Sequence, residues 1–404
     1  CGGCWSGILR FFPGGDNMPR FVAIPVSQGD AFYLETTEGS VLIDGGRSVS
    51  GFADLFQITT RRSGVDILVA THNDADHANG VLGFLKAGLQ CKEVWLPGRW
   101  AEVLPQALRP WEEVVYTLAN QVATLDTDFQ PGAPLLEQYI ESVVRPLERP
   151  RESDEQGRQE DAEQWELNES GWPRALIVQL EQAAEEDDFW DWCWPAYWEW
   201  RWAFFSPRAL SGRLLWESIV AARRIRRIAL AAYHRGIPVR WFEYDSTSPS
   251  GGYSWLKPVN SRRIARVIPA PETKFLNLLT LTVWNKESLV FWASPPYAGA
   301  GVLFTADSNL SGVRIPALDG AIVTAPHHGS EANKSVYSLI SAPVIWIRSD
   351  GRFGKRPCLE YLQAQGKRFC TLCRNGSDSK QAVTLWHRSG KWMRGKGVRP
   401  CACR

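Results

Sequence analysis

Ten residues at positions 71–80, THNDADHANG, carry the most specific chemistry in this 404-residue sequence. Four side chains of metal-ligand type fall within this short turn. No large apolar residue lies between them that would bury the turn against a core. They are His72, Asp74, Asp76 and His77. The preceding DILVA, residues 66–70, has the composition of a buried β-strand. The stretch is therefore either a polar loop without function or one half of a metal site.

Further side chains of ligand type follow other apolar strands. VLID at 41–44, VLFTAD at 302–307 and IVTAPHH at 322–328 each run from a buried strand into Asp or His. Because strand ends hold side chains on a rigid frame, groups that converge at one sheet edge can bind cations. The second half of the site would then consist of Asp307, His327 and His328.

Two adjacent metal ions suit this set better than one. The side chains from the first loop form two pairs that point in different directions, and Asp307 could bridge two ions. The pairs are His72 with Asp74, and Asp76 with His77. We expect two divalent cations, zinc or manganese, with the many carboxylates favouring harder ions than an all-histidine set would.

The order of these motifs resembles a known family. HNDADH at 72–77 is similar to the HxHxDH pattern of the metallo-β-lactamase fold, with Asp in the second ligand place. Within that fold, the chain resembles the hydrolase domain of the ComEC/Rec2 competence proteins. The motifs that carry this closer resemblance are PVSQGDAF (25–32), LIDGG (42–46), NKESLVF (285–291), FTADS (304–308), APHHGS (325–330) and RFGKRPCLEYLQAQGKRF (352–369).

The resemblance implies an α/β fold, a four-layered αββα sandwich, and metal-assisted hydrolysis. The ions would lower the pKa of a bound water and generate a hydroxide that attacks phosphorus or a carbonyl carbon. Asp76 would be a ligand and the orienting base, which makes it the predicted catalytic residue. Asp44 would support the ligand loop from behind rather than bind metal.

Three positions depart from the family pattern. The family's third motif has a His ligand in many members, and the nearest equivalent here is Asn285, a weak ligand. Ala306 replaces a Gly beside Asp307, and Lys355 and Arg356 stand where the family has a His. The missing ligand predicts weaker binding of the first metal ion.

The resemblance to the family covers two β-rich parts of the chain, which are separated by an insertion. We expect residues 1–17 to lie outside the fold with Met18 as the natural start, although a processed N-terminus with a modified Cys1 is the alternative. The predicted parts are a first half of the metallo-β-lactamase-like domain (18–97), a helical Trp-rich insertion (98–268), a second half (269–395) and a tail (396–404).

Six of the 20 tryptophans lie close together in the predicted insertion, in FWDWCWPAYWEWRWAFF at 189–205. Acidic neighbours such as Asp187 and Asp188 would repel a phosphate backbone, so packing or docking of a protein partner is favoured over stacking of bases. In ARRIRRIALAAYHR at 222–235, the clustered arginines could bind phosphates, but a solvated helix face is the favoured interpretation.

Composition limits the class of protein. No apolar run approaches the roughly 18 residues that a membrane span needs, and the net charge of +1 argues neither for nor against an anionic partner. Nine cysteines at irregular spacing do not predict a disulfide framework, and a cytosolic setting is expected. Cys370 and Cys373 could hold a structural zinc together with Cys401 and Cys403, although reduced thiols are the favoured interpretation.

Together these features predict a metal-dependent hydrolase of the ComEC/Rec2-like branch. Its predicted substrate is a phosphodiester, with nucleic acid as the expected source. A carbonyl-ester hydrolase acting on a lactone or thioester is an alternative within the enzymes. A catalytically weakened scaffold is the third hypothesis, in which the insertion docks a protein partner in a multi-gene system such as antiphage defence. The nature of the substrate rests on the resemblance alone.

Overall fold

Two β-sheets packed face to face form the centre of the molecule. The computed structural model describes residues 18–123, 164–183, 210–270, 281, 287–294, 300–349, 356–373 and 380–403. The predictions for residues 1–17, the Trp-rich stretch 189–205, Asn285 and Lys355 lie outside these described residues.

The strands are β1 (Arg20–Ala23), β2 (Phe32–Glu35), β3 (Ser40–Ile43), β4 (Gly64–Val69), β5 (Gln90–Pro97), β6 (Trp165–Glu166), β7 (Val239–Tyr244), β8 (Leu256–Pro258), β9 (Ser261–Arg263), β10 (Arg266–Val267), β11 (Phe291–Ala293), β12 (Val302–Phe304), β13 (Ile322–Thr324), β14 (Val344–Arg348), β15 (Gly366–Cys370), β16 (Val383–Arg388) and β17 (Lys391–Arg394). The α-helices are α1 (Phe52–Thr60), α2 (Ala75–Lys86), α3 (Gly98–Ala107), α4 (Trp111–Ala123), α5 (Leu210–His234), α6 (Ser335–Leu339) and α7 (Leu359–Gln363).

The first sheet has the order β17-β16-β1-β2-β3-β4-β5-β7-β9, and the second has the order β15-β14-β13-β12-β11-β8. Strands β3, β4, β5 and β7 run parallel to one another, as do β12 to β15 in the second sheet. Because parallel strands end at the same edge of a sheet, the residues after β4, β12 and β13 are brought towards one side of the molecule.

Alternation along the strands produces two separate cores. Val41 and Ile43 of β3 face the second sheet, where they join a core with side chains such as Phe304 of β12. Leu42 lies on the opposite face, in a core that includes Phe56 of α1. Each face of the first sheet is therefore buried, which is why its parallel strands read as continuous apolar runs.

Helices cover both outer faces. Contacts of α2 with α1 and α5 place these helices on the outside of the first sheet. On the second sheet, Tyr337 of α6 and Tyr361 of α7 pack around Trp346 of β14, with the Tyr337 and Trp346 rings 5.1 Å apart. The layers are thus helix, sheet, sheet, helix, and the predicted αββα sandwich of the metallo-β-lactamase type is confirmed.

The range predicted as a helical insertion contains both helices and strands. Helices α3, α4 and α5 lie in it, but β7 and β9 extend the first sheet and β8 forms an edge of the second. The domain boundaries themselves stay a prediction. None of the helices in the described ranges has the length and apolar content that a membrane span requires.

Candidate metal centre

The first ligand group stands where β4 leads into α2. His72 follows the strand, Asp74 is the N-cap residue of α2, and Asp76 lies in its first turn. Acidic side chains are favourable at a helix N-terminus because the helix dipole is positive there. Sequence and helix electrostatics therefore agree on placing carboxylates at this edge of the sheet.

A close backbone crossing fixes the start of α2 beside the end of β3. A Cβ atom on Gly80 would lie 1.9 Å from the carbonyl oxygen of Gly45, so neither position has room for a side chain. The Gly45 N–H donates to the His77 carbonyl at 2.9 Å, and the Gly80 N–H donates to the Gly46 carbonyl at 2.9 Å. This contact brings His77 to the side chain at the end of β3, Asp44.

The second ligand group lies on two turns of the second sheet. Asp307 follows β12, and His327 and His328 lie in a 3₁₀ turn directly after β13. The backbone is left-handed at Ala306 (φ 46°), His327 (φ 48°) and His328 (φ 56°). Such conformations are costly for residues other than glycine and occur most often at functional sites.

The structure brings these groups together into two clusters that share Asp307. In the first cluster, the His72 Nε2 atom lies 3.6 Å from the Asp74 Oδ2 atom and 3.8 Å from the Asp307 Oδ2 atom. The His327 Nε2 atom lies 3.5 Å from the same Asp307 oxygen, and its side chain is more exposed than that of His72. His72 and His327 therefore both face the same oxygen of Asp307.

In the second cluster, the His77 Nε2 atom lies 3.2 Å from the Asp307 Oδ1 atom. The His328 Nε2 atom lies 3.9 Å from that oxygen and 3.5 Å from the Asp76 Oδ2 atom. Asp307 thus offers one oxygen to each cluster, which is the arrangement of a carboxylate that bridges two cations. All seven sequence-predicted ligands lie in this centre, and their roles as ligands stay a prediction.

Three partners behind the histidines fix which ring nitrogen faces the clusters. The Nδ1 atom of His77 lies 2.8 Å from an Asp44 carboxylate oxygen, and that of His328 lies 3.0 Å from Asp30. The Nδ1 atom of His72 lies 3.0 Å from the hydroxyl oxygen of Thr71. Each Nε2 atom is therefore left to face the centre, as is usual for histidines that bind metal.

Asp30 is a functional candidate that the sequence analysis did not select. It is 1% exposed, and its oxygen faces the Nδ1 side of His328, so it orients that ring rather than joining the ligands. The motif SQGDAF resembles the opening motif of the family. The Asp in that motif is the sequence signal from which Asp30 could have been identified as a site residue. Its pKa is raised because burial disfavours the carboxylate, although the charge of His328 opposes that shift.

The facing imidazoles show that the centre fits a cation. The Nε2 atoms of His77 and His328 are only 3.2 Å apart. With both Nδ1–H groups directed at carboxylates, two neutral rings would turn lone pairs towards each other at that distance. A proton or a metal ion must lie there to offset the repulsion. In addition, the buried His72 Nε2 atom makes no hydrogen bond within the described residues.

Charges in the centre shift the pKa values in opposite directions. Burial lowers the pKa of His77 and of His328, but the neighbouring carboxylates outweigh burial and hold both pKa values well above the ordinary value. Burial acts to raise the pKa of Asp307, and the surrounding histidines overcome it, so that the pKa lies well below the ordinary value. The buried carboxylate therefore stays ionised and available to a cation.

Arg224 of α5 supports the ligand loop from the helical side. Its guanidinium donates to the Asn79 Oδ1 atom at 2.9 Å, to the Asn73 Oδ1 atom at 3.3 Å and to the Asn73 carbonyl. Arg226 is also buried and donates to three carbonyl groups, including that of Ala107. The predicted solvated helix face is therefore wrong for both arginines, because each guanidinium satisfies buried backbone or amide oxygens.

The comparison with protein families agrees with this geometry. The family model of the metallo-beta-lactamase superfamily matches residues 24–166. That match places a metallo-β-lactamase superfamily domain in the chain. Combined with the His/Asp clusters, it suggests a metal-dependent hydrolase, since proteins of this superfamily usually bind divalent metals and the clusters fit such ions. No curated protein matches the sequence.

Proposed function

We propose that the protein is a metal-dependent phosphodiesterase, and that its substrate is nucleic acid. The observation that carries the proposal is the sharing of Asp307 between two ligand clusters, since paired metal ions are typical of phosphoryl hydrolysis. The ordered motifs that resemble the ComEC/Rec2 hydrolase domain support the same class of substrate. A cytosolic location and the choice between zinc and manganese stay predictions.

The residues fit two cations. His72, Asp74 and Asp307 would hold the first, and Asp76, His77 and His328 would share Asp307 to hold the second. Bound there, the ions would supply positive charge to polarise the scissile group and to activate water. Asp44 and Asp30 keep the histidine rings oriented, so that the Nε2 atoms need not reorganise during the reaction.

Asp76 is proposed as the residue that handles the attacking water. Its side chain is 18% exposed, whereas those of His77, Asp307 and His328 are at most 2% exposed. Burial raises its pKa, but hydrogen bonding to His328 and nearby imidazole charges dominate and hold that pKa far below the ordinary value. An ionised carboxylate on the open side can accept a hydrogen bond from water and orient it for attack.

A cation at the rim favours a phosphate group in the substrate. The positive charge of Arg356 acts on His327, whose pKa is lowered mainly by burial and further by that charge. Arg356 stands where the resembled family has a His, so this chain places a permanent cation beside the ligand turn. A guanidinium there can bind a substrate phosphate oxygen while the reaction proceeds at the two clusters.

The test is cleavage of single- and double-stranded DNA and RNA by the purified full chain in Mn²⁺ or Zn²⁺. Asp76→Ala should lose at least 10²-fold in activity, the usual order for a missing acid–base group. Asp54→Ala removes an exposed carboxylate in the first turn of α1 and serves as the matched control. The proposal would be refuted if the metal-loaded wild type did not cleave nucleic acid, or if wild type and Asp76→Ala cleaved it equally.

A cleft beside His72 supports carbonyl-ester hydrolysis as a second candidate. Its lining includes Trp100, Phe242 and Leu289. Among the described residues of that lining, the guanidinium of Arg99 is paired with Glu287 at 2.8 Å. An apolar wall with a neutralised charge suits an acyl chain better than a phosphate backbone. Turnover of lactones or thioesters without nucleic-acid cleavage would establish this function instead.

The third hypothesis, a scaffold that docks a protein partner through the Trp-rich stretch, stays a prediction. That stretch lies outside the described residues, so nothing in the structure bears on it. Full metal occupancy accompanied by turnover would count against a scaffold role.

A further inference from the structure

Four cysteines that are far apart in the sequence meet at one end of the second sheet. Cys370 is the last residue of β15 and Cys373 follows it, whereas Cys401 and Cys403 lie near the end of the chain. All four Sγ atoms lie within 4.8 Å of one another. We refer to these four residues as the cysteine cluster.

Hydrogen bonds that do not involve sulfur bring the two pairs together. The Cys401 N–H donates to the Arg368 carbonyl of β15 at 2.8 Å. The Gln381 side chain joins both segments, because its Nε2 atom donates to the Cys370 carbonyl at 3.0 Å and to the Arg399 carbonyl at 2.9 Å. The Arg399 N–H donates back to the Gln381 Oε1 atom at 2.9 Å. The backbone thus arranges the cluster independently of any bond between the sulfurs.

We propose that the cysteine cluster is a structural zinc site, separate from the His/Asp centre. Two sulfurs bound to one tetrahedral zinc lie about 3.8 Å apart, given Zn–S bonds of about 2.3 Å. The four Sγ atoms, all within 4.8 Å of one another, are close enough for one ion to contact all of them after small side-chain movements. Four thiolates and no open position are the ligand set of structural rather than catalytic zinc.

Two of the four sulfurs face hydrogen-bond donors. The Ala402 N–H donates to the Cys373 Sγ atom at 3.0 Å, and the Arg348 guanidinium lies 3.6 Å from the Cys403 Sγ atom. A zinc ion with four thiolates carries two net negative charges, and the buried guanidinium offsets part of them. Arg348 is on β14, directly opposite Cys370 in the strand register, so this cation is built into the sheet.

The arrangement does not match a set of disulfides. The structure has these side chains as thiols, and the Cys370 and Cys373 sulfurs are 3.0 Å apart, beyond the bond length of about 2.05 Å. Soft thiolate ligands also select zinc over manganese or magnesium. Zinc at the cluster would join the end of the chain to β15 and stabilise the fold without taking part in hydrolysis.

The site is tested by X-ray absorption at the zinc edge on the full chain, purified with a thiol reductant and loaded with one equivalent of zinc. We expect four sulfur neighbours at about 2.3 Å. This measurement needs no variant and separates the cluster from the His/Asp centre, which offers only nitrogen and oxygen. Neighbours that are nitrogen and oxygen alone, tightly retained iron instead of zinc, or a disulfide found between Cys370 and Cys373 would each overturn the proposal.

Variants provide a second measurement. Cys373→Ser and Cys401→Ser should each lose the sulfur-to-metal charge-transfer bands that Co²⁺ produces in the wild type. Cys91→Ser removes a half-buried thiol of β5, outside the cluster, and should keep those bands. Bands of equal intensity in all the variants would refute the assignment.

Discussion

At the scale of single residues, the ligand turns hold side chains in conformations that cost energy. Ala306 is 3% exposed and has φ 46°, where the Cβ atom of an L-residue is crowded. It immediately precedes Asp307, the residue shared by both clusters. The sequence departs here from the glycine of the resembled family, and the structure shows why glycine suits this position.

We expect Ala306→Gly to raise the free energy of unfolding by about 0.5–1 kcal/mol, because relief of the left-handed strain exceeds the added entropy of the unfolded chain. Urea unfolding at equilibrium measures the change. Ala325→Gly is the matched control, since Ala325 is equally buried but has φ −75°. That variant should lose about 1 kcal/mol, and a loss of similar size in both would contradict the argument.

The pKa values of His77 and His328 predict that metal binding depends on pH. Both are raised by neighbouring carboxylates, so the metal-free protein keeps protons on these rings to a higher pH than an ordinary histidine would. Coordination requires neutral rings, so binding should release protons and tighten as the pH rises towards the raised pKa values. Calorimetric titration with Mn²⁺ in two buffers of different ionisation enthalpy counts the protons. Binding without proton release would be inconsistent with this assignment.

The same shift has a consequence for the metal-free protein. A histidine whose folded pKa lies above the unfolded value of about 6.5 contributes stability that is fully present below that value. The contribution is lost as the pH rises through the folded pKa. Metal-free protein should therefore become less stable on the alkaline side, where metal binding becomes stronger.

At the scale of elements, α5 acts on the centre through Arg224. This helix and α2 are packed together, and the guanidinium reaches the loop between His72 and Asp74. Burial lowers the pKa of Arg224, and the acidic ligands Asp74 and Asp76 counteract that shift. The arginine therefore has both a structural and an electrostatic link to the ligand loop.

Arg224→Met should weaken Mn²⁺ binding by about 10- to 100-fold, the usual effect of removing a partner that orients ligands. Arg226→Met is the matched control, because Arg226 is on the same helix and is equally buried, but it donates to carbonyls of Ala107, Arg109 and Ala183. Both variants should unfold more easily, and only Arg224→Met should lose metal affinity. An equal loss of Mn²⁺ affinity in both variants would show that Arg224 contributes only to the stability of the fold.

At the scale of the whole molecule, the centre joins two parts of the chain. His72, Asp74, Asp76 and His77 belong to the first sheet and its helix α2, whereas Asp307 and His328 follow strands of the second sheet. The two sheets otherwise associate through the apolar core between them. An ion bound at the centre would therefore hold the two sheets together at one edge.

We expect Mn²⁺ at a hundredfold excess over its dissociation constant to raise the free energy of unfolding by about 2.7 kcal/mol per site. Thermal unfolding with Mn²⁺ and with a chelator measures the effect. Manganese is chosen because thiolates bind it poorly, so the cysteine cluster should not contribute. Asp307→Asn should abolish most of the stabilisation, and stabilisation that persists in this variant would show that the ion binds elsewhere.

The fold and most of the centre were predictable because their signals are local. Each ligand group follows an apolar strand directly, and strand ends are rigid, so HNDADH and PHH predicted one centre without any distance being known. Helix α2 has an equally local signal, because apolar residues follow His77 at helical spacing and Gly88 comes just after the helix. The αββα sandwich followed from the order of these motifs and the family resemblance that they carry.

Contacts between distant residues followed no such local rule. Whether the arginines of α5 face water or the ligand loop depends on which side of the helix packs against α2, and helical spacing alone does not specify this. Asp30 acquires its role from a histidine 298 positions away. The two cysteine pairs meet because β15 and the end of the chain exchange hydrogen bonds. Long-range packing brought these groups together, and the sequence holds no periodicity from which that packing could be read.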